Sequence, residues 1–372
     1  MSNNPSLLAL LDWVACGKFN QMLGLARIDN MRYLCKLADE SNCHIKSSLG
    51  LEIHHAKHTL PDLSLFGTHS LLHIPGIIYP HFASAWETFA EDHYATMDKS
   101  VIAEFDNADK GYKLMGFFQS YSGECQSLEC ALDSIKFYAN LRHRELTSQV
   151  SPKLQSTDKA LSMIECSIKA IGAPIYIGFI DRGMCAVKLI TTLTKNNLQA
   201  IVDYCSHYFH HIIASQLQNS NVLQNMLEAL LVKNGNVRLS VDIDLLTAEH
   251  LGRLSFECMT SQATSKESQL VDKSTDSLDS RFSFDRHFMN YSKSLELQNT
   301  LPYGERRPSS TNLIDNEIVS IQHSHRKLLL SPACGEVKDY LLISSFNLDS
   351  EHTRAEDGGQ STGGGLPRLR GR

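Results

Sequence analysis

The chain has 372 residues, room for two or three domains at roughly 100–200 residues each, and is 42% hydrophobic and 20% charged. That mixture buries a core and excludes a wholly disordered or fibrous chain. A formal net charge of -6 excludes a generally basic, nucleic-acid-coating surface, though not a local basic helix.

The N-terminal segment MSNNPSLLALLDWVACGKF is too short in apolar residues to span a bilayer, is interrupted by Asp12, and lacks a basic n-region. No two of the ten cysteines stand as C-x-x-C; the nearest pair, Cys125 and Cys130, is five apart. A disulfide scaffold and a zinc ribbon are therefore not expected, and the expectation is a reduced, cytoplasmic protein with no membrane span.

Residues 5–50 read as two helical segments through Leu7, Leu8, Leu11, Val14 and again Leu34, Leu37, Ala38. From Pro61 to Pro80 the chain is apolar but punctuated, with a short strand expected at Ile77–Tyr79. Residues 84–105 read as a helix anchored by Trp86, Phe89, Tyr94 and Met97. A helix through Leu161, Ile164, Ile168 and Ile171 should stop at Gly172 and Pro174. Ile175–Ile180, the turn Asp181-Arg182-Gly183 and Cys185–Ile190 predict an antiparallel hairpin. One long helix is expected from Leu198 to Ile213, and another through Leu223, Leu227 and Leu231. Residues 260–281 suit a loop, residues 282–298 regain helical spacing, and Tyr340–Ile343 is a candidate strand. The Gly-rich stretch 351–372 is expected to be disordered.

These elements predict an α+β fold, an α/β/α sensing-type sandwich followed by a smaller helical module and a disordered tail, with a generic α+β core as the alternative. The expected divisions are a ligand-sensing domain over 1–240, a candidate helix-turn-helix module over 241–300, an extension over 301–350, and a tail over 351–372.

Histidine, at 17 copies, is the conspicuous chemical residue. His54/His58, His69/His73 and His207/His211 are each four apart, the spacing by which a helix presents two metal ligands. Glu52, His55, His81, Glu87, Glu91 and His93 are candidate third ligands, but no H-E-x-x-H or repeated E-x-x-H occurs, and no metal or cofactor is expected. G-x-S-x-G, G-x-x-x-x-G-K-[ST] and G-x-G-x-x-G are absent, and the expectation is a protein that is not an enzyme. The basic run His323-Ser324-His325-Arg326-Lys327 reads as a solvated face.

Three segments, taken in order, resemble the LuxR-type quorum-sensing transcription regulators. Tyr79-Pro80, Trp86, Tyr94, Asp98 and Val101-Ile102 are similar to the residues lining that family's acyl-homoserine-lactone pocket. The Trp-to-Asp spacing is one residue shorter than the family's, and Lys99 stands where the family has proline. The helix, hairpin and helix over 161–217 resemble the rest of that ligand domain. Leu246-Thr247, Glu249, Leu254, Lys266-Glu267, Ser280, Phe284, His287, Asn290 and Leu295 resemble the family's helix-turn-helix. The resemblance implies a dimeric, ligand-responsive regulator that binds an acyl-homoserine-lactone-like signal through Trp86, Tyr94 and Asp98. It implies DNA contacts from Arg281, Ser283, Arg286, His287, Asn290 and Lys293. The alternatives are an adaptor that does not bind DNA, built on the same sandwich, and a His-liganded metalloprotein.

Overall fold

The computed structural model describes residues 6–16, 29–40, 44–54, 61–68, 71–72, 84–86, 88–89, 100–108, 111–120, 128–147, 155–181, 185–234, 236–259, 317–333 and 335–347. Helices α1 (Leu7–Cys16) and α2 (Asp29–Glu40) precede strands β1 (His44–His54), β2 (Asp62–Thr68), β3 (Ser100–Ala108) and β4 (Gly111–Ser120). Helices α3 (Leu128–Thr147) and α4 (Gln155–Ile171) lead to β5 (Tyr176–Asp181) and β6 (Cys185–Leu193). Helices α5 (Leu198–Tyr208), α6 (His210–Gln216) and α7 (Ser220–Asn234) lead to β7 (Val237–Asp244) and β8 (Glu249–Met259). Strands β9 (Glu317–Leu330) and β10 (Gly335–Asn347) complete the fold.

The ten strands close into one antiparallel barrel in which each strand pairs with its chain neighbours and β1 pairs with β10. Five hairpins (β1–β2, β3–β4, β5–β6, β7–β8, β9–β10) put their short connections at one end of the barrel. The helices and long connections join at the other end. Closure leaves no exposed sheet edge, which is how an all-antiparallel sheet of this size avoids edge-to-edge association.

Pleating sends alternate residues outward and inward. On β6, Cys185, Val187, Leu189 and Leu193 point outward into the main apolar core, which they share with Ile164 and Ile168 of α4 and Ile201 and Cys205 of α5. The core therefore lies between the barrel and its jacket of helices. Helix α4 shows why the sequence does this: Ala160, Ile164, Ser167, Ile168 and Ile171 form one buried stripe. Its last turn is closed by Gly172, at φ 97° in the left-handed region, whose N–H donates to the Ile168 carbonyl at 2.9 Å. Helix α1 is held by α2: the Asp39 carboxylate accepts the Leu7 and Leu8 N–H groups at 2.8 and 3.0 Å.

The expected α/β/α sandwich with a helical module is corrected by this topology: the sheet is a single closed barrel, and strands from both sides of residue 240 build it. The expected hairpin at 175–190 is β5–β6. The expected helix over 84–105 is corrected beyond residue 99, where Ser100–Ala108 is β3. The expected helix over 198–213 is two, broken at Phe209. Leu246-Thr247 and Glu249, read as the opening of a helix-turn-helix, are the β7–β8 turn and the start of β8. There the Asp244 carboxylate accepts the N–H groups of Leu246 and Thr247 at 2.7 and 3.1 Å, and Ala248 sits at φ 57°. The segments 260–316 and 348–372, including the recognition helix and tail expected there, lie outside the described residues. Among the described residues no helix is long and apolar enough to cross a membrane.

Candidate functional site

The inward face of the barrel is chemically divided. Strands β3 to β6 contribute an apolar wall of Ile102, Phe118, Tyr176, Ile180, Ala186 and Ile190. Two glycines make its packing feasible. A Cβ on Gly178 would stand 2.5 Å from the Phe118 ring, so that ring lies flat over the bare backbone. A Cβ on Gly116 would stand 2.2 Å from the Phe179 carbonyl oxygen, so β4 approaches β5 as closely as it does because no side chain intervenes.

The opposite wall carries charge. Cross-strand partners in an antiparallel sheet share a face. The register His54↔Lys338↔Lys327↔Glu257↔Arg238 therefore places four basic side chains and one carboxylate on a single inward rung across β1, β10, β9, β8 and β7. Lys338 and Lys327 are 8% and 7% exposed, which demands compensation, because an unpaired buried charge is costly. Lys338 bonds Glu52, and Lys327 lies 3.7 Å from Glu257. Farther round, the Asp242 carboxylate accepts from Arg253 at 2.5 Å and lies 3.9 Å from Lys188. Among the described residues, two cations also sit against aromatic rings where the two walls meet, Lys188 over Phe118 and Arg238 over Tyr176 at 5.5 Å, and within the charged wall Lys327 lies over Tyr340 at 5.8 Å.

This crowding tunes the titratable groups. Burial alone would raise the Glu52 carboxyl, but Lys338 and Lys327 outweigh it and hold the group below the usual carboxylate range. Burial likewise opposes the charge on Lys327, and Glu257, Glu52 and Glu104 more than restore it. Lys188 goes the other way: burial pulls it down to about 8 despite Asp242. Glu104 is pushed up to about 7, mainly by burial, with Lys188 acting against the shift. Among the described residues, Glu104 is therefore a lumenal carboxyl driven toward its protonated form.

Two buried donors on β7 find no hydrogen-bond acceptor among the described residues: Arg238 Nε and Ser240 Oγ. Arg238 is itself part of the basic rung, and Ser240 is the next inward-facing residue on β7. Buried polar groups are rarely left unsatisfied, so a pair of such donors facing one chamber points to a ligand that accepts from them.

At the hairpin end of the barrel His54 is clamped by acids. Its Nδ1 lies 2.8 Å from Glu336 Oε1 and its Nε2 lies 2.6 Å from Asp62 Oδ2, with Glu52 Oε1 at 3.9 Å. Burial opposes its protonation, but the bonds to Asp62 and Glu336 win and raise it to about 9.

Of the signal-binding residues expected from sequence, Trp86 is buried on the outer side of the barrel. Its ring lies 4.7 Å from Phe179 and 5.2 Å from Phe117, close to Phe89 and Phe137. Tyr94 and Asp98 lie outside the described residues, as do Arg281, Ser283, Arg286, His287, Asn290 and Lys293. His54 lies on a strand and not on the helix its spacing with His58 suggested, and the α5–α6 break separates His207 from His211. The run at 323–327 does not form a solvated face: Lys327 is a buried lumenal cation, and His325 stacks on Tyr340 at 4.0 Å. The lumenal residues Lys188, Arg238, Asp242, Glu257 and Lys338 belong to no motif in the sequence, and Glu52 stands out there only as a candidate metal ligand. Their one sequence signal was a charged residue alternating with aliphatic ones in stretches such as LGLEIH and CAVKLI.

No protein-family model matches the sequence. No curated protein matches it either. Solved structures do match. The prenyltransferase PriB in ternary complex with L-tryptophan and dimethylallyl thiolodiphosphate aligns with a TM-score of 0.50 at 8% identity. That alignment covers 91% of this chain and 96% of that one. The 5-dimethylallyltryptophan synthase of Streptomyces coelicolor aligns with a TM-score of 0.49 at 8% identity, over 91% of this chain and 98% of that one. The fold assignment rests on the first of these, and at such identity the likeness is one of fold.

The closed barrel and its likeness to PriB overturn the resemblance to LuxR-type regulators, together with the transcription-regulating, DNA-binding and quorum-sensing roles it implied. The adaptor and His-liganded metalloprotein alternatives have no support from them either. The expectation that the chain is not an enzyme loses its support as well, since the solved structure whose fold it shares is that of a prenyltransferase.

Proposed function

We propose that the barrel lumen is the active site of a transferase that moves a prenyl group from an allylic diphosphate to an aromatic acceptor of the tryptophan kind. The observation that carries this reading is the part of the basic rung formed by Lys338, Lys327 and Arg238, with the unsatisfied donors Arg238 Nε and, next to it on β7, Ser240 Oγ, facing an apolar, aromatic wall. A diphosphate suits the first surface and an apolar chain with an aromatic ring suits the second. One substrate end would meet cations and the other Phe118, Tyr176 and Ile190.

In such a transfer the carbon–oxygen bond of the allylic diphosphate breaks and pyrophosphate leaves with the electron pair. A ring carbon of the acceptor bonds to the allylic carbon, and the ring then loses a proton. The rung stabilises the departing pyrophosphate, and the closed barrel keeps water from intercepting the cation. Glu104, held near neutrality, is the lumenal carboxyl suited to take up the proton.

The test supplies the purified chain with dimethylallyl diphosphate and L-tryptophan and follows pyrophosphate release and the mass of the acceptor. The expected result is a dimethylallylated acceptor, with Arg238→Met weakening pyrophosphate binding by about tenfold, the scale of one charge-assisted hydrogen bond. A folded protein with no affinity for pyrophosphate overturns the reading.

A further inference from the structure

We propose that His54 is a positioning residue of the lumen, which ties down Asp62 and Glu336 so that their charge is kept away from the basic rung. This inference rests on the lumen being the anion-binding site proposed above.

The rung ends at His54, and the residue directly opposite it is Lys338. Three carboxylates crowd that end: Glu52 on β1, Asp62 on β2 and Glu336 on β10. Glu52 is bonded to Lys338. The other two are bridged by the single imidazole, one ring nitrogen to each, at 2.6 and 2.8 Å. All four side chains are largely buried, at 7–14% exposure, so water does little to screen them. An uncharged side chain at position 54 removes the positive charge that bridges Asp62 and Glu336. That charge stands directly opposite Lys338, so its loss lowers the positive potential offered to an anion in the lumen. His54 acts through these two carboxylates and needs no contact with the ligand.

The bridge requires both ring nitrogens to donate, so it needs the protonated ring. The groups facing it are Glu52 from its own strand, Asp62 from β2, and Lys338 and Glu336 from β10, with Lys327 next along the rung. The two bonded carboxylates keep the ring protonated to about pH 9, so the arrangement is intact across the neutral range.

The experiment titrates the full chain with inorganic pyrophosphate by calorimetry, using circular dichroism to verify folding. His54→Gln should weaken binding by about tenfold, the scale of one charge-assisted interaction. Combining it with Asp62→Asn and Glu336→Gln should restore wild-type affinity, because the charges His54 restrained are gone. Wild-type affinity should also fall above pH 9 relative to this triple variant, in which Lys188 is unchanged. Should the single variant fail to fold, the comparison moves to the Asp62→Asn/Glu336→Gln pair. Adding His54→Gln to that pair leaves affinity unchanged if His54 acts through the carboxylates. A further loss there means His54 meets the ligand directly and overturns the proposal. Wild-type binding with an unaffected His54→Gln variant overturns the positioning role alone. A wild-type chain that binds no pyrophosphate overturns both this role and the anion site.

Discussion

The outer and inner faces of the barrel belong to the same ten strands, yet they obey different rules. On β5, Ile177 and Phe179 turn outward and vanish into the helix jacket, while Tyr176, Gly178 and Ile180 turn inward. On β6, Val187 and Leu189 go out while Lys188 comes in. The outward residues stabilise the fold in the ordinary way, by leaving water and filling space. The inward charges cost desolvation free energy that their partners largely offset, so they contribute little to stability. What they supply is a field inside a closed chamber. The difference teaches that the stability of this fold and its chemistry are written on alternate residues.

The strongest way to break that division is an outward truncation. Phe179 is 1% exposed and touches Trp86, Phe117 and Tyr138 at ring separations of 4.7 to 5.0 Å. Phe179→Ala should cost about 3–5 kcal/mol, transfer and cavity terms together. Urea denaturation should show the midpoint falling by a corresponding amount; a loss below 1 kcal/mol would mean that the helix jacket collapses into the gap and that the outer core is not close-packed.

An inward pair tests the other half of the comparison. Lys327→Met removes the cation that Glu257 and Glu52 share and should cost about 3 kcal/mol, since it leaves buried carboxylate charge less compensated. Adding Glu257→Leu should recover most of that loss, because replacing both members of a buried pair by apolar groups is close to neutral. Pyrophosphate affinity should stay low in both variants. If the double variant is no more stable than the single one, the lumenal charges are structural after all, and the two faces do not divide as described.

The same alternation explains which parts of the fold were legible in the sequence. Helix α4, the β5–β6 hairpin and helix α7 could be read because their apolar residues recur at the period of the element and a glycine or turn punctuates them. The lumenal strands were harder. In β1, Leu49, Leu51 and Ile53 alternate with Ser48, Gly50 and Glu52, a pattern shared by any strand with one face in water. In β3, Val101, Ile102, Ala103 and Phe105 form an apolar run that continues the helical spacing begun at Trp86. Its inward Ile102 belongs to a chamber wall that no local window reveals. Closure was beyond reach. His54 and Glu336 meet across 282 positions, and nothing near either residue names the other. The site suffered most, because Lys327 and Lys338 look in sequence like ordinary surface lysines until the barrel encloses them. The histidine spacing did draw notice to His54 and Glu52, but for a helical metal site and not for a rung of charge.

A smaller effect sharpens the boundary between the chamber walls. Gly178→Ala places a methyl against the Phe118 ring and should cost about 1–3 kcal/mol as overpacking. The ring must swing into the lumen, away from its place under Lys188. The outer core is untouched, so the variant should keep its far-ultraviolet spectrum while losing affinity for an apolar-tailed diphosphate more than for pyrophosphate. Equal losses for the two ligands would show that Phe118 does not line the apolar half.

The smallest effect comes from outside the barrel, where a polar group interrupts the apolar jacket. His250 on β8 turns outward among Tyr204, Tyr208 and Phe209, its Nε2 2.5 Å from the Tyr204 hydroxyl. Tyr204 donates to Ser167 Oγ at 2.9 Å, and Ser167 donates to the Met163 carbonyl at 2.8 Å. The phenol proton is thereby committed, so neutral His250 donates from Nε2 into a relay running from β8 through α5 to α4. Burial, aided by His207, lowers His250 to about 4. An unfolded histidine takes its proton near 6.5. Between those values the unfolded chain binds the extra proton, so His250 favours the folded state above about pH 6.5, and that contribution is lost as pH falls through 4. The wild-type melting temperature should therefore drop by a few degrees more than that of His250→Gln between pH 7 and pH 4. Parallel pH profiles for the two proteins would mean that water reaches the ring and that the jacket is not dry at this point.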